Sequence, residues 1–258
     1  MKRTESRTAG KVFLVGAGPG APDLLTLRAA EVLKRANIVF HDALVHPEVL
    51  ALAGRAEKIA VGKRCGRFAT AQQFINKRLV DAAGKHPVVV RLKGGDPTLF
   101  GRAQEETAAL EAAGVPFEIV PGVTSALAAA AEAGVSLTQR GVARSVVFLT
   151  PRVGHGEAPS DWAKSAAAAD TAVIYMGVGE AAVISAALIE AGLSRELPVL
   201  VAENATLPQS RRIALTLEEL PEIARYGVTG PTLIMVGRAF AAALAASEQA
   251  ALRKFARA

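Results

Sequence analysis

Cysteine is almost absent: Cys65 stands alone among 258 residues. One thiol closes no internal disulfide and offers no cysteine pair to a metal, which suits a reducing compartment, so a cytoplasmic protein is expected. Aromatic residues are scarce as well, at 5% of the chain. Too few flat side chains are present to stack bases, and none interleave a basic stripe, which argues against nucleic acid as a partner. Long apolar runs are also missing. The alanine-rich stretch from Ser125 to Ala133 is short and interrupted by Glu132, far below the roughly 18 residues of a membrane span, so no membrane partner is expected. Residues 1–10 carry Lys2, Arg3, Glu5 and Arg7 with no apolar core behind them and read as a loose terminus rather than a signal peptide. The four histidines, His41, His46, His86 and His155, show no metal-ligand spacing, and no metal is assigned.

What is present points to a compact enzyme-sized chain. Hydrophobic residues make up 51% and charged residues 21%, with glycine and proline dispersed among apolar runs, which excludes a disordered chain. Lysine and arginine (30) outnumber aspartate and glutamate (24). That excess favours a polyanionic partner, a polycarboxylate among them, or is simply a solvated surface.

Short β-branched runs alternate with helical patterns throughout, the signature of an α/β protein with largely parallel strands. Strands are predicted near Val12–Val15, Ile38–Phe40, Glu57–Val61, Val88–Leu92 and Phe117–Val120, then again near Ser145–Leu149, Thr171–Met176, Pro198–Ala202, Arg211–Thr216 and Thr232–Val236. Helices are predicted over Asp23–Arg35, Ala71–Ala83 and Gly101–Ala113, after Pro121 and Gly122 through Ala133, and over the last residues from Phe240, with Trp162 anchoring a further helix start. The restart after Pro121-Gly122 divides the chain into an N-terminal α/β domain, 1–122, and a C-terminal α/β domain, 123–258.

The first strand runs into Gly16-Ala-Gly-Pro-Gly-Ala21, which satisfies the relaxed dinucleotide fingerprint G-x-G-x-x-A, and Asp42 follows the second strand where a ribose-binding acid would stand. Two details count against a nicotinamide enzyme. Pro19 and Pro22 lack the N–H groups that cradle a pyrophosphate, and Asp23, expected in the first turn of the next helix, places a carboxylate where a phosphate would sit.

The loop belongs to an ordered set: Val15-Gly-Ala-Gly-Pro-Gly-Ala-Pro-Asp-Leu-Leu-Thr-Leu27, His41-Asp-Ala-Leu-Val45, Val61-Gly-Lys-Arg64, Arg91-Leu-Lys-Gly-Gly-Asp-Pro97 with Phe100-Gly-Arg102, Val120-Pro-Gly-Val-Thr-Ser125, Tyr175-Met-Gly177, Glu203-Asn-Ala-Thr206 and Gly230-Pro-Thr232. In this order and spacing the chain resembles the tetrapyrrole methylases. The resemblance implies a two-domain tetrapyrrole methylase fold with a donor-binding cleft between the domains, a homodimer, and S-adenosyl-L-methionine as methyl donor, leaving S-adenosyl-L-homocysteine. It further implies methylation of uroporphyrinogen III at C2 and C7 to precorrin-2 by way of precorrin-1, with a later precorrin C-methyltransferase of cobalamin synthesis as the alternative.

Carried over position by position, the donor contacts are Pro19, Gly94, Gly95, Asp96, Leu99, Thr124, Ser125, Met176, Ala205 and Thr232. Read without the resemblance, Met176 is core filler and Thr124-Ser125 a helix cap. A tetrapyrrole with eight carboxylates calls for guanidinium and ammonium clamps. Lys63, Arg64, Arg102, Arg140, Arg144, Arg211 and Arg212 are available, and the resemblance singles out Lys63, Glu105 and Arg140 as substrate contacts. Through the resemblance, Arg102 occupies a position to which proton removal has been assigned, yet a guanidinium stays charged far above neutral pH and is a poor base, so a clamp is the better role. Asp42 is the acid/base candidate, or equally the cap of a turn. The chain departs from the family pattern at Thr98, Ala103, Gln104, Gln139, Pro151 and Arg152, all on the side expected to face the substrate.

Overall fold

The computed structural model describes residues 10–61, 68–153, 158 and 160–255. The predicted substrate contact Lys63, with Arg64, Cys65 and His155, lies outside them. The chain divides into two compact units, Met1–Thr124 and Ser125–Ala258.

Among the described residues the first unit holds five strands: β1 (Lys11–Gly16), β2 (Ile38–His41), β3 (Glu57–Ala60), β4 (Val88–Lys93) and β5 (Phe117–Val120). They join into one sheet in the order β3-β2-β4-β1-β5, parallel at every pairing. Helices α1 (Leu27–Lys34), α2 (Pro47–Ala51), α3 (Phe68–Ala83) and α4 (Ala103–Ala112) make the connections. β1 and β4 are buried on both faces, which makes β1 apolar beyond Lys11 and leaves Arg91 and Lys93 of β4 as buried cations. Alternation along them feeds two cores. Phe13, Val15, Val90 and Leu92 pack with Ala29, Val32 and Leu33 of α1, while Val12, Leu14 and Val89 pack with Ile75 and Leu79 of α3 and Leu110 of α4. Each fully buried leucine here contributes about 1.5–3 kcal/mol.

The strand order locates the site. The chain leaves β1 toward β2 and leaves β4 toward β5, in opposite directions from neighbouring strands, and open α/β sheets bind their ligands outside the carboxyl ends at such a switch point.

Two predicted helix starts are corrected. The segment from Asp23 is not one helix: Pro22–Leu24 forms a separate 3-10 turn, and α1 begins only at Leu27, capped by Thr26, whose hydroxyl accepts from Ala29 N at 3.2 Å. Asp23 therefore sits outside the first turn of α1. α4 begins at Ala103 rather than Gly101 because Phe100 and Arg102 hold left-handed φ angles of 53° and 56°.

The second unit comprises α5 (Ser125–Glu132), β6 (Val146–Leu149), α6 (Trp162–Ala168), β7 (Thr171–Tyr175), α7 (Ala181–Glu190), β8 (Pro198–Glu203), β9 (Arg211–Thr216), β10 (Thr232–Gly237) and α8 (Ala241–Phe255). Its sheet runs β6-β7-β10-β8-β9, and only β6 and β7 are parallel. This corrects the expectation of largely parallel strands. The seven residues Asn204–Ser210 between β8 and β9 are too few for a crossover, which needs about a dozen or more, so β9 folds back as a hairpin partner. β10 then enters between β7 and β8, antiparallel to both. Trp162 opens α6 and packs, half-buried, against the core of α7, β7 and β8. Among the described residues no helix is long and apolar enough to cross a membrane.

Candidate active site

In the first unit, the loops that follow β1, β4 and β5 close on one another backbone to backbone. Ala17 N donates to Lys93 O at 2.7 Å, Gly18 N to Gly95 O at 3.2 Å and Gly95 N to Gly18 O at 2.7 Å. A Cβ on Gly16 would lie 2.6 Å from Gly122 Cα and 2.7 Å from Gly95 O, and one on Gly122 would collide with Gly95 O. Only glycine permits this approach. The stitching also bears on the nicotinamide alternative: the Ala17 and Gly18 amides that a pyrophosphate would need are already bonded to the β4 loop, beside the donorless Pro19 and Pro22.

Asp96, predicted to face a cationic donor, first braces this junction. Its Oδ2 accepts from Gly122 N at 2.9 Å, and its Oδ1 accepts from Thr98 N at 2.8 Å and from the Thr98 hydroxyl. Leu99 N closes the same turn onto Asp96 O at 3.3 Å. The departure at Thr98 thus supplies a hydroxyl to the Asp96 carboxylate. Pro19, Gly94, Gly95, Asp96, Leu99, Thr124, Asp42, Arg102 and Glu105 all fall in segments that follow β1, β2, β4 or β5 at the carboxyl edge. Arg102 and Glu105 form a two-pronged pair, Nε–Oε1 2.6 Å and Nη2–Oε2 2.7 Å, with both side chains about half exposed. Ala103 is buried at the head of α4, and Gln104 is exposed.

Sequence reasoning missed the charges beneath this edge. Period-2 alternation turns Arg91 and Lys93 of β4 to the same face as Val89, and Asp42 to that of Phe40. Arg91 and Lys93 are each 3% exposed, and Glu106 of α4 is fully buried. Arg91 Nε reaches Glu106 Oε1 at 2.8 Å and its Nη2 reaches Asp42 Oδ1 at 2.5 Å, while Lys93 Nζ meets both Glu106 oxygens at 3.1 and 2.9 Å. Burial opposes the charge on Arg91, but Asp42 and Glu106 outweigh it and raise the guanidinium above its already high ordinary value. Burial, then the Arg91 cation, pushes the Lys93 ammonium below its usual value, with Glu106 opposing.

In the second unit the antiparallel entry of β10 brings the carboxyl ends of β7 and β8 and the start of β10 to one edge, which carries Met176, Ala205 and Thr232. Ala126 N donates to the Tyr175 hydroxyl at 3.3 Å, tying the first turn of α5, and Ser125 with it, to the same edge. Met176 is 43% exposed with a φ of 58°, which overturns its reading as core filler. Asn204 and Thr206 flank Ala205 with φ of 52° and 70°. Of the five non-glycine residues with positive φ among the described residues, Phe100 and Arg102 lie at the head of α4, and Met176, Asn204 and Thr206 lie just beyond β7 or β8. Strain of this kind gathers where geometry serves a ligand.

Arg140 is not brought to that edge. It caps a tight turn, Gln139 N to Ala143 O and Ala143 N to Gln139 O both at 2.8 Å. The turn sits at the amino end of β6 and β7, where the Thr171 hydroxyl donates to Leu137 O at 2.9 Å. Two other cations stand at the Met176 edge, in register with the end of β8, and are already engaged there: Arg212 donates to Glu132 O, and Arg211 holds Glu203 and donates to Tyr226 O at 2.9 Å.

Glu203, 2% exposed, accepts from Thr229 N at 2.7 Å, Gly230 N at 2.6 Å and Arg211 Nε at 2.7 Å. Burial alone would raise its pKa, but these donors overcome burial and hold the carboxyl below the ordinary range. With the folded value beneath the unfolded one of about 4.3, the unfolded chain binds more protons between the two. The stabilisation is complete above about pH 4.3 and is lost as pH falls through the folded value. Urea unfolding followed from pH 6 to 3 should show a shallower acid loss in Glu203→Gln than in the unaltered protein. Equal slopes would remove Glu203 from the account.

The comparisons agree on one family. A siroheme synthase of Azotobacter vinelandii is 47% identical over 233 residues, 90% of this chain and 50% of the relative, so the chain spans about half the length of the siroheme synthases it matches. The native uroporphyrin III C-methyl transferase of Thermus thermophilus is 42% identical with a TM-score of 0.80, covering 90% of this chain and 100% of that one. The same enzyme complexed with S-adenyl homocysteine superposes with a TM-score of 0.78 at 41% identity, over the same shares. A cobalt precorrin-4 methyltransferase is 29% identical with a TM-score of 0.79, covering 89% of this chain and 95% of that one. The model of the tetrapyrrole (corrin/porphyrin) methylases matches residues 11–221. That span takes in the whole first sheet and the second as far as β9, and the chain belongs to this family.

Proposed function

We propose that the chain methylates uroporphyrinogen III at C2 and C7, giving precorrin-2 through precorrin-1, with S-adenosyl-L-methionine as donor, in a homodimer. The observation that carries this reading is the match over the whole length of the Thermus thermophilus enzyme, at 42% identity, by a chain whose glycine-stitched edge fits a phosphate-free nucleoside. The fit is physical. The Ala17 and Gly18 amides of the β1 loop are spent on β4 and its loop, and Pro19 and Pro22 have none, while Gly94 is exposed beside them, where an added Cβ would meet only Leu44 at ordinary contact distance.

When bound, the donor supplies an electrophilic methyl group on a sulfonium. The chain's own residues orient and hold. In the first unit we assign donor contacts to Pro19, Gly94, Gly95, Leu99 and Thr124, with Asp96 keeping their loop in place. In the second we assign them to Ser125, Met176, Ala205 and Thr232. Arg102 is the clamp for a substrate carboxylate, exchanging its Glu105 partner for the substrate. Asp42 is the acid/base candidate: one oxygen is bonded to Arg91, and the other makes no hydrogen bond among the described residues. Alignment of two reactants can lower a barrier by on the order of 7–11 kcal/mol, enough to carry most of a metal-free transfer.

Incubating the protein with uroporphyrinogen III and S-adenosyl-L-methionine should give a product two methyl groups heavier by mass spectrometry. An unchanged mass would defeat the proposal. The likeness to the cobalt precorrin-4 methyltransferase, with the departures at Ala103 and Gln104, favours one second reading, a precorrin C-methyltransferase acting later. Methylation of later precorrins without uroporphyrinogen III would select it.

A further inference from the structure

We infer that Arg91 is a positioning residue for Asp42, holding one carboxylate oxygen so that the other is presented in a fixed direction at the carboxyl edge. The inference rests on the reading of Asp42 as the acid/base group of the proposed methyl transfer.

The geometry is that of a splint. Asp42 follows β2, and its backbone N donates to Leu92 O of β4 at 3.2 Å. Its side chain is then caught by the neighbouring strand, Arg91 Nη2 to Oδ1 at 2.5 Å. Arg91 cannot drift, because its Nε is bonded to Glu106 and its Nη1 to Leu92 O at 3.2 Å. Glu106 is fixed in turn by Lys93 and by Gln72 of α3, whose Nε2 lies 3.3 Å from Oε1. The groups facing the Arg91 guanidinium are thus Asp42 after β2, Glu106 from α4 and the Lys93 cation from β4 itself. At the end of the chain of contacts, Asp42 has a side chain 32% exposed and Oδ2 without a hydrogen bond among the described residues.

Stability does not account for the arrangement. A buried ion network costs so much desolvation that hydrophobic residues of similar volume often serve as well or better. What a hydrophobe could not do is aim a carboxylate. Lysine would serve only in part, since a single ammonium lacks the planar fork that reaches Glu106 and Asp42 together.

The test is a double-mutant cycle on kcat for methyl transfer to uroporphyrinogen III, using the unaltered chain, Arg91→Gln, Asp42→Asn and the pair. Calorimetry with S-adenosyl-L-homocysteine on each variant follows the donor side. Each single change should lower kcat by up to on the order of 100-fold, the scale of a misplaced catalytic group, and leave donor binding in place. The pair should be no slower than Asp42→Asn alone, because Arg91 has nothing left to aim. Arg91→Lys should fall between Arg91→Gln and the unaltered chain, and it replaces Arg91→Gln in the cycle if that variant does not fold. Full additivity in the pair would overturn the positioning role while leaving Asp42 as acid/base. An Asp42→Asn variant as fast as the unaltered chain would remove the role of Asp42 and the inference with it. Absence of transfer by the unaltered chain would defeat the proposed function itself.

Discussion

Glu106→Ala should destabilise the first unit by about 3–5 kcal/mol, the usual cost of stripping the partner from a buried charge. Folded proteins hold only about 5–15 kcal/mol in total, so the variant should unfold at markedly lower urea or temperature. The size of the effect follows from burial. Glu106 is fully inaccessible, and its two oxygens are the anionic partner of both Lys93 and the Nε arm of Arg91, each 3% exposed. With Glu106 gone, Asp42 still answers Arg91, but Lys93 loses the one acid it is directly bonded to among the described residues and keeps only the more distant charge of Asp42. The ammonium, already pushed below its ordinary value by burial and by Arg91, should shed its proton more readily still. The native state then binds fewer protons than the unfolded one up to the ordinary lysine value of about 10.4, and stability rises with pH across that window. Glu106→Ala should therefore recover part of its loss toward pH 10, and Lys93→Met added to it should recover part at neutral pH. A loss under about 1 kcal/mol, with no pH dependence, would show that water reaches the network and screens it.

This network also marks where reading the chain residue by residue stops. Arg91 and Lys93 stood in a motif quoted for its glycines, yet the signal was there. Val88-Val-Val-Arg-Leu-Lys93 is a strand buried on both faces, and two cations on one of those faces demand a buried acid. Which acid answers them is a tertiary fact, since Glu106 lies in a helix whose register against β4 is set by packing. All ten strands among the described residues were legible, because β-branched runs bounded by glycine, proline and polar residues leave few alternatives. α7 was not: its sequence, Ala-Ala-Val-Ile-Ser-Ala-Ala-Leu-Ile-Glu, is apolar nearly all round, and a 3.6-residue period needs polar contrast to show. Strand direction in the second sheet was misjudged because local composition does not encode pairing; the short β8–β9 link does. Met176 looked like filler by residue type alone, whereas the motif resemblance set it at the donor, and its left-handed backbone and exposure take it out of the core. Pro19 and Pro22 already argued against a pyrophosphate, while Gly18 bonded to Gly95 makes the stronger case and needed coordinates.

Gly122→Ala is the change expected to strike donor binding hardest without touching a charge. Its new methyl would overlap Gly95 O and stand 2.9 Å from Gly16 Cα, backbone atoms with no rotamer to escape into. Relief requires the β5 loop or the β4 loop to move. Either motion pulls on the bonds that define the edge: Gly18 N to Gly95 O, and Gly122 N to Asp96 Oδ2. Overpacking of this kind costs about 1–3 kcal/mol. The same displacement shifts Gly94 and Gly95 relative to the β1 loop, so affinity for S-adenosyl-L-homocysteine should fall at least about tenfold, which is roughly 1.4 kcal/mol. Gly54→Ala is the control, because an added Cβ there meets nothing within 4 Å. It should melt no earlier than the unaltered protein and bind as well. If calorimetry finds Gly122→Ala binding as tightly as Gly54→Ala while its melting temperature falls, the three-glycine junction supports the fold alone, and the donor contacts assigned to the β4 loop would have to be sought elsewhere. If both quantities fall together, one close approach of three strand ends sustains the sheet edge and the donor grip alike.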